Sequence, residues 1–149
     1  MIVLPVSIRE PEIDALVAGT MTVLIRPIGR LAFIKRRDYL WVREPFHVAR
    51  RFDNIRPTAA VNRGAVPIFA ADNKAALADL ADLGRRRHAR ELPKAWHRQH
   101  LCVTAAERLP LHNVSDADLR NAGWRTRGHF ETRWDQDAAF SGPELARDN

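Results

Sequence analysis

The stretch Asp38-Tyr39-Leu40-Trp41-Val42-Arg43-Glu44 decides the fold of this chain. Its residues alternate, so that Leu40 and Val42 point to one side of an extended backbone while Trp41 and Arg43 point to the other. This alternation is typical of a strand that rests one face on a core. The pattern predicts a strand over the whole stretch, with an arginine and a glutamate where the strand reaches the rim of its sheet.

Three elements are predicted before this strand. Residues 2–8 are short and β-rich, and they predict a first strand with a proline that favours a sheet edge. A short amphipathic helix follows, because apolar residues repeat at helical spacing between Pro11, which a first turn tolerates, and Gly19, which ends a helix. The β-branched and apolar residues from Met21 to Ile28 predict the next strand.

The middle of the chain alternates between loop and regular patterns. Residues 50–64 lack periodicity and predict an exposed loop. Residues 65–70 predict a short strand. Asp72 or Asn73 then caps a predicted helix that Gly84 ends.

The last third of the chain predicts one strand and two helices. The strand is expected from Gln99 to about Leu111. Ser115 with an acidic residue three positions later is a helix N-cap pattern, and Gly123 is the expected end of that helix. Thr126 caps a further predicted helix.

Length and composition indicate one globular domain with a sizeable core. The chain has 149 residues, of which 46% are hydrophobic, and it lacks an apolar run of membrane-spanning length. No basic region and cleavable apolar segment open the sequence, so we expect a cytoplasmic protein with no membrane partner. The one cysteine, Cys102, has no companion for a disulfide or a thiolate metal site and is predicted to be a small core residue.

The formal net charge of +6 favours an anionic partner such as RNA, DNA or a nucleotide. Only three of the 24 basic residues are lysines, a bias that a GC-rich genome also produces, so the clustering is more informative than the total. Two clusters predict contacts to a phosphate backbone, and a solvated surface is the alternative. The predicted contact residues are Lys35, Arg36, Arg37, Arg85, Arg86 and Arg87.

Two segments together resemble the ASCH family, a branch of the PUA-like fold. The family has G-x-K-x-x-T-x-R after its first helix, followed by a strand that reads G-D-x-L-W-V-R-E. Gly19, Arg26 and residues 38–44 match these motifs, whereas Met21 and Leu24 stand where the family has its Lys and Thr.

The resemblance implies an α+β fold: a PUA-like, mostly antiparallel β-barrel of five to six strands with peripheral helices. This domain is expected to cover residues 1–135, with a polar tail at residues 136–149. Family members usually close the barrel with one more strand, which is not found here. The barrel is therefore expected to be open, shielded by the N-terminal strand, or paired at its edge with a protein partner or a second copy.

The resemblance also bears on catalysis. Some ASCH relatives are amidohydrolases of acylated cytidine-type nucleosides, which need a Thr nucleophile, a Lys that accepts its proton and a Glu that serves the leaving group. Met21, Leu24 and Ala122 replace these three residues, and none of them can exchange a proton. We therefore expect a module without this activity and without a cofactor.

A basic cleft is the predicted binding site for RNA or a nucleotide-like ligand. Arginine can grip a phosphate or stack on a base, and glutamate can accept a hydrogen bond from an exocyclic amine. The alternative for the arginine and glutamate side chains is an ion pair at the barrel rim. Trp96 is either a stacking surface or a packing residue. The predicted ligand-binding residues are Arg26, Arg43, Glu44, Lys94, Trp96 and Arg98.

Two histidines leave a catalytic alternative open. His97 and His100 lie three residues apart at the start of a predicted strand, where one of them could act as the general base of a ribonuclease or of a nucleoside amidohydrolase-type enzyme. No acidic residue at a matching position completes a ligand set, so no metal is expected. For Trp41, Trp124 and Trp134, core packing is the expected role.

Overall fold

The computed structural model describes residues 1–72, 74–77 and 80–141, and it is a mixed α+β structure. The α+β part of the predicted fold class is thereby confirmed. The strands in chain order are β1 (Val3–Ser7), β2 (Tyr39–Arg43), β3 (Phe46–His47), β4 (Ile68–Phe69) and β5 (His100–Cys102).

Short helices surround these strands, and 3₁₀ turns span Arg50–Phe52, Ala89–Glu91, Lys94–Trp96 and Leu111–Asn113. The α-helices are α1 (Glu12–Val17), α2 (Pro57–Asn62), α3 (Lys74–Leu77), α4 (Asp116–Asn121) and α5 (Arg127–Ser141). No helix within the described ranges is long and apolar enough to cross a membrane.

The larger sheet has the order β1-β2-β5, with β1 parallel and β5 antiparallel to β2. In this register Leu4, Leu40 and Leu101 are neighbours across the three strands, as are Val6 and Val42 in the first two. These side chains form one apolar face, which is the alternation predicted for β2. The core on this face also includes Ile8, Ile13, Met21, Leu24, Leu31 and Ile34.

The other two cores lie beneath the smaller sheet and between the last helices. Strands β3 and β4 form an antiparallel pair over a cluster built on Phe46, Phe52 and Leu92. The last helices enclose a cluster that includes Trp124 and Trp134, so the packing role predicted for these two tryptophans is confirmed.

Several predicted helix ends are confirmed by their geometry. The Ser115 hydroxyl oxygen accepts from the backbone N–H of Asp118 at 3.1 Å, and the Thr126 hydroxyl oxygen accepts from the N–H of His129 at the same distance. Gly123 ends α4 with φ of +93°, and a Cβ there would lie 3.0 Å from the Cβ of Ala15. Glycine therefore lets the end of α4 approach α1 closely.

Three predicted elements differ in the structure. Met21–Ile28 forms no strand, because the N–H groups of Thr22 and Val23 both donate to the carbonyl of Asn121 at the end of α4. Residues 50–64 form a 3₁₀ turn and α2 rather than an exposed loop, since Pro57 starts a helix that buries Ala60. The strand predicted through Leu111 ends at Cys102, and residues 104–110 are exposed.

Two smaller predictions also need correction. Cys102 is exposed rather than part of the core, because the alternation of β5 turns it away from Leu101. Helix α3 is described over Lys74–Leu77 and residues 80–84 are not helical, so Gly84 does not end a helix; Asn73 lies outside the described residues.

The strands assigned within the described residues form two separate sheets rather than a closed barrel. Two of the three strand pairs are antiparallel. Helix α5 continues through Ser141, past the expected domain end at residue 135, and residues 142–149 lie outside the described part. The barrel therefore stays a prediction of the family resemblance.

Candidate nucleic-acid interface

The outer face of the larger sheet carries aromatic and basic side chains. Because successive residues of β2 alternate, Tyr39, Trp41 and Arg43 project away from the apolar face on which Leu40 and Val42 are buried. His100 is the register partner of Trp41 on β5 and shares this face. Tyr39 keeps 38% of its surface exposed. We call these side chains, together with His97, the aromatic face.

The rings of the aromatic face lie close to one another. The ring centroids of Trp41 and His97 are 5.5 Å apart, and those of Tyr39 and His100 are 6.3 Å apart. The two histidine rings, 6.1 Å apart, connect the pairs. All of these contacts are tilted or edge-on, so the rings are inclined to one another and do not form one parallel stack.

A backbone contact selects the tautomer of the neutral His97 ring. Its Nδ1 lies 2.6 Å from the carbonyl oxygen of Lys94, which begins the turn before β5. A carbonyl oxygen only accepts, so Nδ1 carries the proton and Nε2 of the neutral ring keeps its lone pair. The 3₁₀ turn Lys94–Trp96 thus orients a ring on the aromatic face, and Lys94 itself is exposed beside it.

Arg43 is the cation of this face. Its Cζ lies 5.9 Å from the centroid of Trp41, and within the described residues its buried Nε has no hydrogen-bond partner. Burial lowers the pKa of Arg43, and the nearby charges of Arg30 and Arg90 lower it further. A guanidinium that is partly desolvated among other cations is a favourable site for an anion.

Arg98 has the opposite environment, although it was predicted to line the same cleft. Its Nη2 donates to Oε1 of Glu44 at 2.7 Å and its Nε to Oε2 at 3.1 Å, while Nη1 reaches Asp72 at 2.7 Å. Its Cζ also lies 4.1 Å from the ring of Phe69. Glu44 is fully buried, so this pair joins β2 to the smaller sheet from inside.

The pKa of Arg98 reflects these contacts. Desolvation alone would lower it, but the hydrogen bonds to Glu44 and Asp72 outweigh that cost and raise the pKa. The guanidinium is thus occupied on both of its edges by carboxylates of the same chain.

Arg26 is paired in the same way. Its two terminal nitrogens donate to the two oxygens of Glu12 at 2.8 and 2.9 Å, and also to the carbonyl of Ser7 at 2.9 Å. Glu12 is buried on α1, so Arg26 connects that helix to the end of β1. Among the predicted ligand residues, the structure therefore brings Glu44 and Arg98 together and places Arg26 in a separate ion pair.

The other predicted ligand residue, Trp96, packs inward. Its ring meets Phe46 edge-on, with centroids 5.9 Å apart, and it contacts the core under the smaller sheet. This geometry favours the packing role over the stacking role.

The first predicted phosphate cluster lies in a tight exposed turn. Lys35, Arg36 and Arg37 are all exposed, and Arg37 adopts φ of +77°. Asp38 holds the turn, because its carboxylate accepts from the backbone N–H groups of Ile2 at 2.8 Å and Lys35 at 3.0 Å. The hydrogen bond from Ile2 lowers the pKa of Asp38, and the one from Lys35 adds to this against the cost of desolvation.

The second predicted cluster divides into three different environments. Arg85 is exposed. Arg86 donates to both oxygens of Glu10, at 2.7 and 2.9 Å. Arg87 is only 2% exposed and donates inward to backbone carbonyls, those of Phe52 at 3.0 Å and Asp53 at 2.8 Å. Adjacent arginines of one run thus have a solvated, a paired and an internal role.

The positions of the family's catalytic residues are apolar in three dimensions as well as in sequence. Met21 and Leu24 pack on the inner face of the sheet, and Ala122 is fully buried between the last helices. Within the described ranges, no group of three or more His, Cys, Asp or Glu residues is arranged to hold a metal ion.

Sequence analysis overlooked most of the aromatic face. Trp41 was assigned to core packing, and Tyr39 was not considered. The available signal was the alternation itself, because Trp41 shares the side of Arg43 rather than that of Leu40 and Val42.

Comparisons with known proteins give no further guide to this face. No protein-family model matches the chain, and neither the curated proteins nor the solved structures contain a match.

Proposed function

We propose that this chain is an ASCH-like module that binds single-stranded RNA, or a nucleotide-like ligand, on the aromatic face. The observation that carries the proposal is the position of Arg43 beside the half-buried ring of Trp41, with a buried Nε that has no hydrogen-bond partner among the described residues. Aromatic rings bind bases of any sequence by stacking, and a neighbouring arginine can take a phosphate or a second base.

The family assignment is part of this proposal. It is supported by the sequence match at residues 38–44, which contain the central strand of the larger sheet. A PUA-like barrel would require further strand pairing that joins the edges of the two small sheets.

The geometry favours a single strand over a duplex. Stacking requires base faces, which a double helix hides, and RNA-binding sheets commonly use exposed aromatic residues in this way. Each stacked base is worth about 1–3 kcal/mol by alanine substitution. The exposed Lys94 and the basic turn at residues 35–37 would add contacts to the phosphate backbone.

The paired residues would support the interface rather than contact the ligand. Arg98 and Glu44 fix the end of β2, directly after Arg43, and Arg26 fixes the end of β1, where Ser7 is the register partner of Arg43. They would thereby position Arg43 without offering a free charge of their own.

Ribonuclease activity is a second candidate, favoured by the two neighbouring histidines. Their rings are 6.1 Å apart, and Nε2 of His97 is free to accept a proton because Nδ1 is held by the carbonyl of Lys94. A neutral imidazole in this state can remove the proton of a ribose 2′-hydroxyl, and a second imidazole can protonate the leaving oxygen.

One experiment separates the two candidates. Labelled single-stranded and double-stranded RNA are titrated with the protein at two salt concentrations, and the same samples are analysed on a gel for cleavage. We expect intact RNA and tighter binding of the single strand, with an affinity that falls as salt rises. Cleaved RNA would favour the histidine mechanism, and absence of binding to either RNA would contradict both candidates.

A further inference from the structure

A separate cleft opens beyond the end of β2. It has a volume of about 330 Å³ and is formed by the β1–α1 junction, the segment around Arg86 to Ala89, and α5. Its charged and titratable lining consists of Arg9, Glu10, Arg86, Arg87, His88 and Arg133. We call it the arginine cleft. Sequence analysis did not bring these residues together, because they come from three distant segments.

Cations outnumber carboxylates around the arginine cleft. Asp137 on α5 is shared, because both Arg9 and Arg133 pair with it. The nearby carboxylate of Glu12 is already occupied by both terminal nitrogens of Arg26. Glu10 is engaged by Arg86.

The positive charge at the cleft acts on Arg9. Burial lowers the pKa of Arg9, and the charges of Arg133 and Arg26 lower it further than Glu12 and Glu10 can restore. An anion between these guanidinium groups would relieve the repulsion that they exert on one another.

His88 adds a directed donor to this cleft. Its Nδ1 accepts the backbone N–H of Arg90 at 3.3 Å, while the Glu91 carboxylate accepts the N–H of His88 at 2.8 Å. The neutral ring therefore carries its proton on Nε2. Burial is the largest cause that lowers the pKa of His88, and the positive charges of Arg90, Arg9 and Arg43 lower it further. The carboxylate of Glu91 acts in the opposite direction and raises the pKa.

We propose that the arginine cleft binds a phosphate monoester, the terminal phosphate of the RNA strand whose bases lie on the aromatic face. The guanidinium groups of Arg9, Arg86 and Arg133 and the imidazole of His88 come from three segments, and together they match the three terminal oxygens and the double negative charge of such a group. The guanidinium of Arg87 faces inward and does not take part. An internal phosphodiester has a single charge and two free oxygens, so it would use this set of donors less fully. The identity of the strand rests on the proposed function, whereas the phosphate chemistry rests on the cleft alone.

The two sites are close enough to share one strand. The N–H of Ile8 donates to the carbonyl of Arg43 at 2.8 Å, and the next residue, Arg9, lines the cleft. Pro45, two residues after Arg43, lines the cleft. A strand that stacks on Trp41 and passes Arg43 would thus reach the cleft with its end.

The test compares one RNA oligonucleotide in three forms: with a 5′-phosphate, with a 3′-phosphate and with hydroxyl groups at both ends. We expect one terminal phosphate to raise the affinity of the wild-type protein about tenfold, the effect of one charge-assisted hydrogen bond. Arg133→Gln should abolish that gain while leaving the affinity for the unphosphorylated form unchanged. Arg63→Gln, which removes an exposed arginine next to α2, is the matched control and should keep the gain.

A second measurement keeps the two proposals separable. Inorganic phosphate and a nucleoside monophosphate are titrated while NMR follows the His88 imidazole, whose pKa should rise when an anion binds next to it. A rise in this pKa without any RNA binding would support phosphate binding in the arginine cleft and would overturn the proposal that an RNA strand supplies the phosphate. Equal affinity for all three oligonucleotides and an unchanged pKa of His88 would overturn the cleft and leave the aromatic face intact.

Discussion

Arginines of this chain occupy two contrasting environments. Arg26 and Arg98 each place two nitrogens on a buried carboxylate of the same chain, at distances between 2.7 and 3.1 Å. Arg43 has a buried Nε without a partner in the described residues, and Arg9 shares one aspartate with Arg133. All of these residues contribute equally to the net charge of the chain.

The difference shows that net charge alone does not identify a binding surface. A guanidinium with two nitrogens on a buried carboxylate holds the fold together, because removing it would leave an uncompensated charge in the interior. A guanidinium held among other cations has unused donors and a positive potential. The arginines that lie on buried carboxylates, Arg26 and Arg98, should therefore affect stability, whereas Arg43 and Arg9 should affect affinity.

The largest expected effect is the loss of stability in Arg98→Met. This change leaves Glu44 buried without its partner, and it should lower the free energy of unfolding by about 3 kcal/mol. Urea unfolding of Arg98→Met and of Arg43→Met makes the comparison direct. Arg43→Met should cost less than about 1 kcal/mol, since no ion pair is broken. Equal losses of stability in the two variants would contradict the division into arginines that hold the fold and arginines that bind a ligand.

The next effect concerns the aromatic face. Trp41→Ala should weaken the binding of single-stranded RNA about tenfold or more, because a stacked base is lost. Phe33→Ala is the matched control, since Phe33 is an aromatic residue with 81% exposure away from this face, and its removal should leave the affinity unchanged. Circular dichroism verifies that both variants are folded. A similar loss in both variants would show that the binding is not located at Trp41.

Arg43→Gln should produce a smaller change in affinity with a distinct dependence on salt. If Arg43 neutralises one phosphate of a single strand, its loss should reduce the slope of log affinity against log salt by about 0.7. Arg63→Gln serves as the control for the removal of one positive charge. An unchanged slope in Arg43→Gln would assign the phosphate contact to other residues.

The smallest effect is a pH dependence in the basic turn. Because hydrogen bonds from Ile2 and Lys35 lower the pKa of Asp38, its carboxylate stabilises the folded state above its ordinary pKa of 3.8. This contribution should be lost as the pH falls through the lowered pKa of the folded state. Stability measured from about pH 6 to pH 3 should therefore fall less steeply in Asp38→Asn than in the wild type. Parallel curves for the two proteins would rule out this role.

Sequence reasoning predicted the elements whose signals are local. The alternation in Tyr39–Arg43 and the caps at Ser115 and Thr126 depend on neighbouring residues, and the structure has them where the sequence placed them. The run from Met21 to Ile28 failed because its backbone donors meet Asn121, nearly a hundred residues away. Such a partner leaves no periodic trace in the sequence.

The candidate site was predicted less completely for the same reason. The position of Arg43 at the sheet rim followed from the strand pattern, but Arg26 and Arg98 are equivalent to it in sequence. Only three-dimensional packing pairs them with Glu12 and Glu44. The arginine cleft joins residues 9, 86 and 133, so neither spacing nor clustering could have revealed it.

Photocrosslinking tests the central claim, that bases contact the aromatic face, most directly. A single-stranded RNA with a photoreactive base is irradiated with the protein, and mass spectrometry locates the adducts on the chain. We predict adducts within β2, at Tyr39–Arg43, and at His97 or His100. Adducts confined to residues 35–37 and 85–87, with none on β2 or the two histidines, would contradict this account.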